Sequence, residues 1–227
     1  MTMRHIGRDH FETIAAPGPL DDDEIHLWLL AIDGAPDHRT VAARTQVLLA
    51  RLLTRYANLY APPQIVRTER GKPFAPELPD LDFNLSHAKD HVLIAIARRQ
   101  PLGVDIERID RRIEIEDLAR RYFSRAEADA IERLPTGTRT AAFLRLWTCK
   151  EAVLKALGEG IAFGLDRVSF DLDAEGFPTG VADLVPEAGT TESWRLALLE
   201  PAPGFLGALA WQGPERKVRT FRAGPDA

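Results

Sequence analysis

Gly103-Val104-Asp105-Ile106-Glu107 is a short apolar run carrying two carboxylates at spacing two. About forty residues later comes Trp147-Thr148-Cys149-Lys150-Glu151-Ala152-Val153-Leu154-Lys155, closed by Gly158 and Gly160. Alternation on a strand puts Asp105 and Glu107 on one face and Val104 and Ile106 on the other. Two carboxylates held side by side repel unless a cation sits between them. A hard metal ion, and with it phosphate chemistry, is the economical explanation. The competing explanation is a solvated face on an edge strand.

The helix shifts that balance. Trp147, Glu151 and Lys155 recur at a spacing of four and form one stripe. Taken alone, such a stripe is an ordinary surface Glu–Lys pair beside an amphipathic tryptophan. Here Lys150 and Lys155 flank Glu151 close to a glycine-rich exit, so Glu151 can hold a metal while the lysines take phosphate. Magnesium suits the set, because it accepts a few carboxylates and fills its shell with water and phosphate oxygens. The chain holds 24 Arg and only 5 Lys, and three of those lysines (Lys72, Lys150, Lys155) lie in these segments. A compact ammonium is not interchangeable with a planar guanidinium.

Outward from these stretches, helical spacing predicts a long helix over 37–58, stopped by Ala61-Pro62-Pro63. Strands are expected at 24–32, 92–97 and 102–107, with short pieces at 65–68 and 83–85. Ser86-His87 follows the last of these, and no G-x-S-x-G elbow surrounds the serine. In the second part, helices are expected at 115–122, from Ser124 (with Glu127 completing a capping box) and at 138–157. Strands follow at 168–171, 194–199 and 206–211. Residues before 24 look irregular, and those from Gly213 on look frayed. The short stretch 98–101 is the natural boundary between halves 1–102 and 103–227.

Bulk properties narrow the class. A net charge of −5, from 29 basic and 34 acidic residues, argues against general nucleic-acid binding. One cysteine excludes an internal disulfide. No apolar stretch is long enough to span a bilayer and no apolar leader core is seen, so a cytoplasmic protein is expected.

With these residues in view, the chain resembles the 4′-phosphopantetheinyl transferases of the larger, surfactin-synthetase-activating type. The resemblance rests on Gly71-Lys72-Pro73, Phe83-Asn84-Leu85-Ser86-His87, 103–107, Phe123-Ser124-Arg125-Ala126-Glu127 and 147–155, in that order, over about residues 24 to 211. It implies an α+β fold of two similar halves, each a long helix on a small, mostly antiparallel sheet, related by a pseudo-twofold. Coenzyme A would lie between them, with its adenosine and 3′-phosphate on the first half and its pyrophosphate and metal on the second. Asp105, Glu107 and Glu151 would hold magnesium. Lys155 would bind phosphate and Lys150 would support catalysis. Lys72, Ser86 and His87 would reach the nucleotide end, with an arginine from the first long helix; Arg44 is favoured there over Arg39 and Arg51.

The implied reaction moves phosphopantetheine from coenzyme A to a serine of an apo carrier protein, releasing 3′,5′-ADP, with Glu151 as the candidate base and a monomer sufficient. Carriers are usually acidic, so a basic patch should receive them; 111–125, with Arg120, Arg121 and Tyr122, is the candidate. The competing functions are a magnesium-dependent nucleotide hydrolase or other phosphotransferase, and a coenzyme A-binding module without chemistry.

Overall fold

The computed structural model describes residues 3–14, 18–34, 37–110 and 114–224. Its strands are β1 (Arg4–Gly7), β2 (Glu12–Thr13), β3 (Glu24–Ala31), β4 (Val66–Arg67), β5 (Pro73–Phe74), β6 (Leu81–Ala88), β7 (His91–Arg98), β8 (Leu102–Arg108), β9 (Val168–Leu172), β10 (Pro178–Leu184), β11 (Trp194–Glu200), β12 (Phe205–Gln212) and β13 (Lys217–Arg222). Its α-helices are α1 (His38–Tyr56), α2 (Ile115–Tyr122), α3 (Arg125–Arg133) and α4 (Thr136–Leu157).

Two sheets form the centre, in the orders β2-β13-β3-β7-β6 and β1-β11-β12-β8. Alternation along the strands sorts side chains into three cores. Ile25, Leu27 and Leu29 of β3, with Leu93, Ala95 and Ala97 of β7, meet Val104, Ile106, Ala197, Leu199, Leu209 and Trp211 of the other sheet. The intervening residues Trp28, Leu30, Val92, Ile94 and Ile96 face outward onto Val41, Leu48, Leu49, Leu52 and Leu53 of α1. On the far side, Leu196, Leu198, Leu206, Ala208 and Ala210 pack on α4. The result is four layers, helix–sheet–sheet–helix, an α+β protein in which each sheet carries one long helix. Most strand pairs are antiparallel; β1–β11, β13–β2 and β13–β3 are parallel.

The frayed end expected beyond Gly213 is corrected by β13, which lies inside a sheet between β2 and β3 with Phe221 buried against Trp28. Its pairing partners are some 190 residues away in the chain, so local pattern carries no trace of them. Likewise β1, in the stretch expected to be irregular, pairs with β11. The two terminal strands thus cross over: the first joins the sheet of β8, and the last joins the sheet of β3. A buried polar network also escaped pattern reading. Trp28 Nε1 donates to the Tyr56 hydroxyl (3.1 Å), which bonds His26 Nδ1 (2.7 Å), and His26 Nε2 reaches Glu24 (3.0 Å).

One glycine sets how closely α4 approaches β8. A Cβ at Gly103 would stand 2.0 Å from the Ala152 carbonyl oxygen and 2.5 Å from Ala156 N, atoms of the α4 backbone that cannot swing aside. Gly103→Ala is therefore expected to destabilise the protein by at least about 1–3 kcal/mol, the usual range for overpacking. A urea midpoint equal to wild type would show that α4 can shift without loss.

Candidate active site

The stretch 103–107 lies on β8 with Asp105 opposite Ala208 and Glu107 opposite Leu206, on the face that α4 covers. Close packing at Gly103 brings Lys155, on the last turn of α4, within reach of β8. Its ammonium donates to Asp105 Oδ1 (2.7 Å) and to the Val104 carbonyl (3.2 Å). The opposite edge of β8 faces β6. There Asn84 Oδ1 accepts the Val104 N–H (3.0 Å), standing in for a strand partner, and Ser86 Oγ donates to Asp105 Oδ1 (2.7 Å). Ser86 and His87, expected beyond a short extended piece, are thus part of an eight-residue strand.

One oxygen of Asp105 is therefore saturated and the other is not. Asp105 Oδ2 and Glu151 Oε1 are both buried without a hydrogen-bond partner among the described residues. Glu151 is only 9% exposed. Burial, and then the negative charge of Asp105, push its pKa up to about 7; Glu107 adds to the rise and Lys155 opposes it. Unsatisfied buried carboxylate oxygens are costly. Three acidic side chains that raise one another's cost, with two orphaned oxygens, are a donor set suited to a hard cation. Among the described residues no group of three or more His, Cys, Asp or Glu is placed to hold a metal ion. Lys155 sits on Asp105 in the place of a cation.

Comparison with known proteins places the chain in a family. The model of the 4′-phosphopantetheinyl transferase superfamily matches residues 101–201. The 4′-phosphopantetheinyl transferase HetI of Nostoc sp. (strain PCC 7120) is 30% identical over 220 residues, covering 84% of this chain and 89% of HetI. The chain belongs to the 4′-phosphopantetheinyl transferase superfamily. A 4′-phosphopantetheinyl transferase of Bacillus subtilis is 35% identical over 147 residues, 62% of this chain and 64% of the relative. The transferase Sfp of Bacillus subtilis (strain 168) is 38% identical over 108 residues, 48% and 47% of the two chains.

Other residues of this transferase fall into place around the cluster. His87 is exposed and stands edge-on to His38, with ring centroids 5.4 Å apart. Partial burial lowers its pKa, as do the positive potentials of His38 and Lys155, against a smaller opposing effect of Asp105. Both histidines line a cavity of about 560 Å³ with Thr45, Arg67, Pro73 and Leu85. Arg67 and His38 were not singled out in the sequence; neither lies in a recognisable motif. Lys72 does not open onto this cavity. Its ammonium donates to the Ala156 carbonyl (3.1 Å) and, at 3.5 Å, to that of Leu102, so it ties the 71–73 turn to α4 and β8; burial lowers its pKa. Arg44 and Arg39 are exposed on α1, and Arg51 lines a separate cavity with Leu20, Thr54 and Arg55.

Lys150 is not brought to the carboxylates. It is fully buried and its ammonium donates to Glu127 (2.9 Å), to the Leu165 carbonyl (2.9 Å) and to the Val168 carbonyl. Burial lowers its pKa and Glu127 opposes. Glu127 closes the Ser124 capping box, as expected, and also accepts from Phe170 N (2.8 Å). Trp147, at the head of the stripe, packs its ring against Tyr122, Phe123 and Phe143.

Proposed function

We propose that the chain transfers the 4′-phosphopantetheine arm of coenzyme A to a serine hydroxyl of an apo carrier protein, releasing 3′,5′-ADP. The observation that carries this reading is the pair of orphaned buried oxygens, Asp105 Oδ2 and Glu151 Oε1, beside the Lys155 ammonium. Asp105, Glu107 and Glu151 would hold magnesium, which when bound neutralises charge on the diphosphate. Lys155 would give a phosphate oxygen a positive charge where the leaving group develops its negative one. Glu151 is the candidate acceptor of the serine proton, directly or through a water. Ser86 keeps Asp105 oriented. His87, with Arg44, faces the nucleotide end; Lys72 braces that end from behind. Lys150 acts as a positioning residue, fixing α4 to α3 and to the segment before β9.

Both walls of this site come from one chain, which makes a monomer sufficient. Among the described residues no helix is long and apolar enough to cross a membrane, and Cys149 is a buried thiol whose pKa burial pushes up; a cytoplasmic enzyme fits both. For the carrier-docking surface proposed at 111–125, residues 111–113 lie outside the described residues. Arg120 is tied to Glu132 (2.7 Å) and Arg121 lies over the Tyr122 ring.

Incubation with coenzyme A, magnesium and an apo carrier should add one phosphopantetheine arm to the carrier mass. Coenzyme A cleavage with the carrier unmodified would replace this reading with a hydrolase. Coenzyme A binding with neither outcome would leave a binding module.

A further inference from the structure

Three described residues other than glycine hold a left-handed backbone: Asn58 (φ 52°), Lys89 (φ 56°) and Arg99 (φ 45°). The conformation brings steric cost to a residue with a Cβ and almost none to glycine. Asn58 follows the C-cap of α1, where asparagine is tolerated. Arg99 uses its side chain to pair with Asp22. Lys89 differs from both. It sits at the tip of the β6–β7 turn, is exposed, and its ammonium makes no hydrogen bond or ion pair among the described residues. Glycine would make the same turn with less strain, so the fold does not account for a lysine there.

Its surroundings do. β6 and β8 run side by side, Asn84 at Val104 and Ser86 at Asp105. Followed further along both strands, Lys89 arrives beside Glu107, and these two with Ala88, Arg108 and Asp110 wall a depression of about 320 Å³. Along β8 the order is then Lys72 at the Leu102 carbonyl, Lys155 at Val104 and Asp105, then Glu107, then Lys89. Displacement at phosphorus needs the attacking and leaving oxygens roughly in line. On the transferase reading, with Lys155 and the histidine-lined cavity at the leaving-group end, the attacking hydroxyl would enter from the Glu107 end, across this depression. Arg108 is already held there by Asp110 and by the Phe205 ring. Among the described residues that line it, Lys89 is the other cation.

We propose that Lys89 is a specificity-determining contact for the acceptor protein, its ammonium pairing with a carboxylate of an acidic carrier beside the serine to be modified. The inference rests on the transferase reading given above. A local cation matters the more because the chain as a whole is negative (−5) and repels an acidic partner.

The test uses the full chain, coenzyme A and an apo acyl carrier protein, together with a fluorescent copy of that carrier whose serine is replaced by alanine. Lys89→Glu should weaken binding of the alanine carrier about tenfold or more, the scale of a reversed charge at a close pair. KM for the active carrier should rise by the same factor, while KM for coenzyme A stays within about twofold. The gap from wild type should narrow between about 50 and about 500 mM salt. Lys89→Gly should also lose carrier affinity while melting no lower than wild type. Unchanged carrier binding in Lys89→Glu overturns the proposal. A raised coenzyme A KM with carrier binding intact also overturns it, and assigns Lys89 to the coenzyme instead. Failure of the wild type to modify the carrier would sink the transferase reading itself, separately from Lys89.

Discussion

Glu151→Gln is expected to abolish carrier modification and, in the same protein, to raise the melting temperature at pH 8 in EDTA. The two effects share one cause. Glu151 is buried, has an oxygen without a partner, and lies near Asp105 and Glu107. Its folded pKa of about 7 lies above the ordinary value of 4.5. The folded state therefore binds a proton more tightly than the unfolded chain does. Stability from this group is present below pH 4.5 and is lost as pH rises through 7. At pH 8 the ionised carboxylate costs roughly 3 kcal/mol, since each pKa unit corresponds to about 1.4 kcal/mol. Glutamine has the same shape and no charge, so it recovers most of that, which for a chain of this size is a gain of several degrees. At pH 5 wild type and variant should melt nearly together. The rate should fall on the order of a thousandfold, the scale of removing a preorganised group at a developing charge. Near-normal transfer by the variant with magnesium would remove Glu151 from the site. A lower melting temperature at pH 8 would show that the carboxylate is satisfied.

Such a group, harmful to the fold and retained in it, is what a functional site leaves in a sequence. Much of this one could be read before the fold was known. Period-two alternation placed Asp105 and Glu107 together on β8, and period 3.6 placed Glu151 and Lys155 together on α4. The pieces that stayed hidden depend on contacts distant in sequence. Asn84 and Ser86 are polar residues in a strand, and only the neighbouring edge of β8 gives them partners. β13 is fixed by pairing with β3 at the other end of the chain. Lys72 could be recognised as a motif lysine, but its reach to the Ala156 and Leu102 carbonyls could not.

Lys150 differs, because its position in the sequence carries the information. It flanks Glu151, and adjacency alone suggests a phosphate-binding lysine. On a helix, neighbours in sequence point about 100° apart. Residue 150 shares its side of α4 with Phe143, Leu146 and Val153, all buried in the core beneath the helix. Periodicity outranks adjacency here: a lysine at an apolar position of a helix signals a buried ion pair.

Glu127→Ala is accordingly expected to cost about 3–5 kcal/mol, the usual loss when one member of a buried pair is removed. The side chain satisfies the Ser124 and Phe170 backbone N–H groups and the Lys150 ammonium at once. Alanine would orphan both N–H groups and leave the Lys150 ammonium, still bonded to two backbone carbonyls, without its counter-charge between Phe123 and Phe170. Lys150→Met should cost less, because Glu127 would still accept two backbone hydrogen bonds. The double variant Glu127→Gln, Lys150→Met should regain part of the loss: the amide oxygen keeps an acceptor for one of the two backbone N–H groups, and a thioether fills the channel left by the lysine. Urea unfolding of wild type, Glu127→Gln, Lys150→Met and the double variant measures the coupling directly. If Glu127→Ala unfolds at the wild-type midpoint, the pair is hydrated and structurally idle. Activity of the double variant then decides what Lys150 does. A scaffold lysine predicts transfer within a few-fold of wild type once the fold is restored, because nothing it touches reaches Asp105 or Glu151. A folded double variant slowed more than about a hundredfold would return Lys150 to the reacting groups.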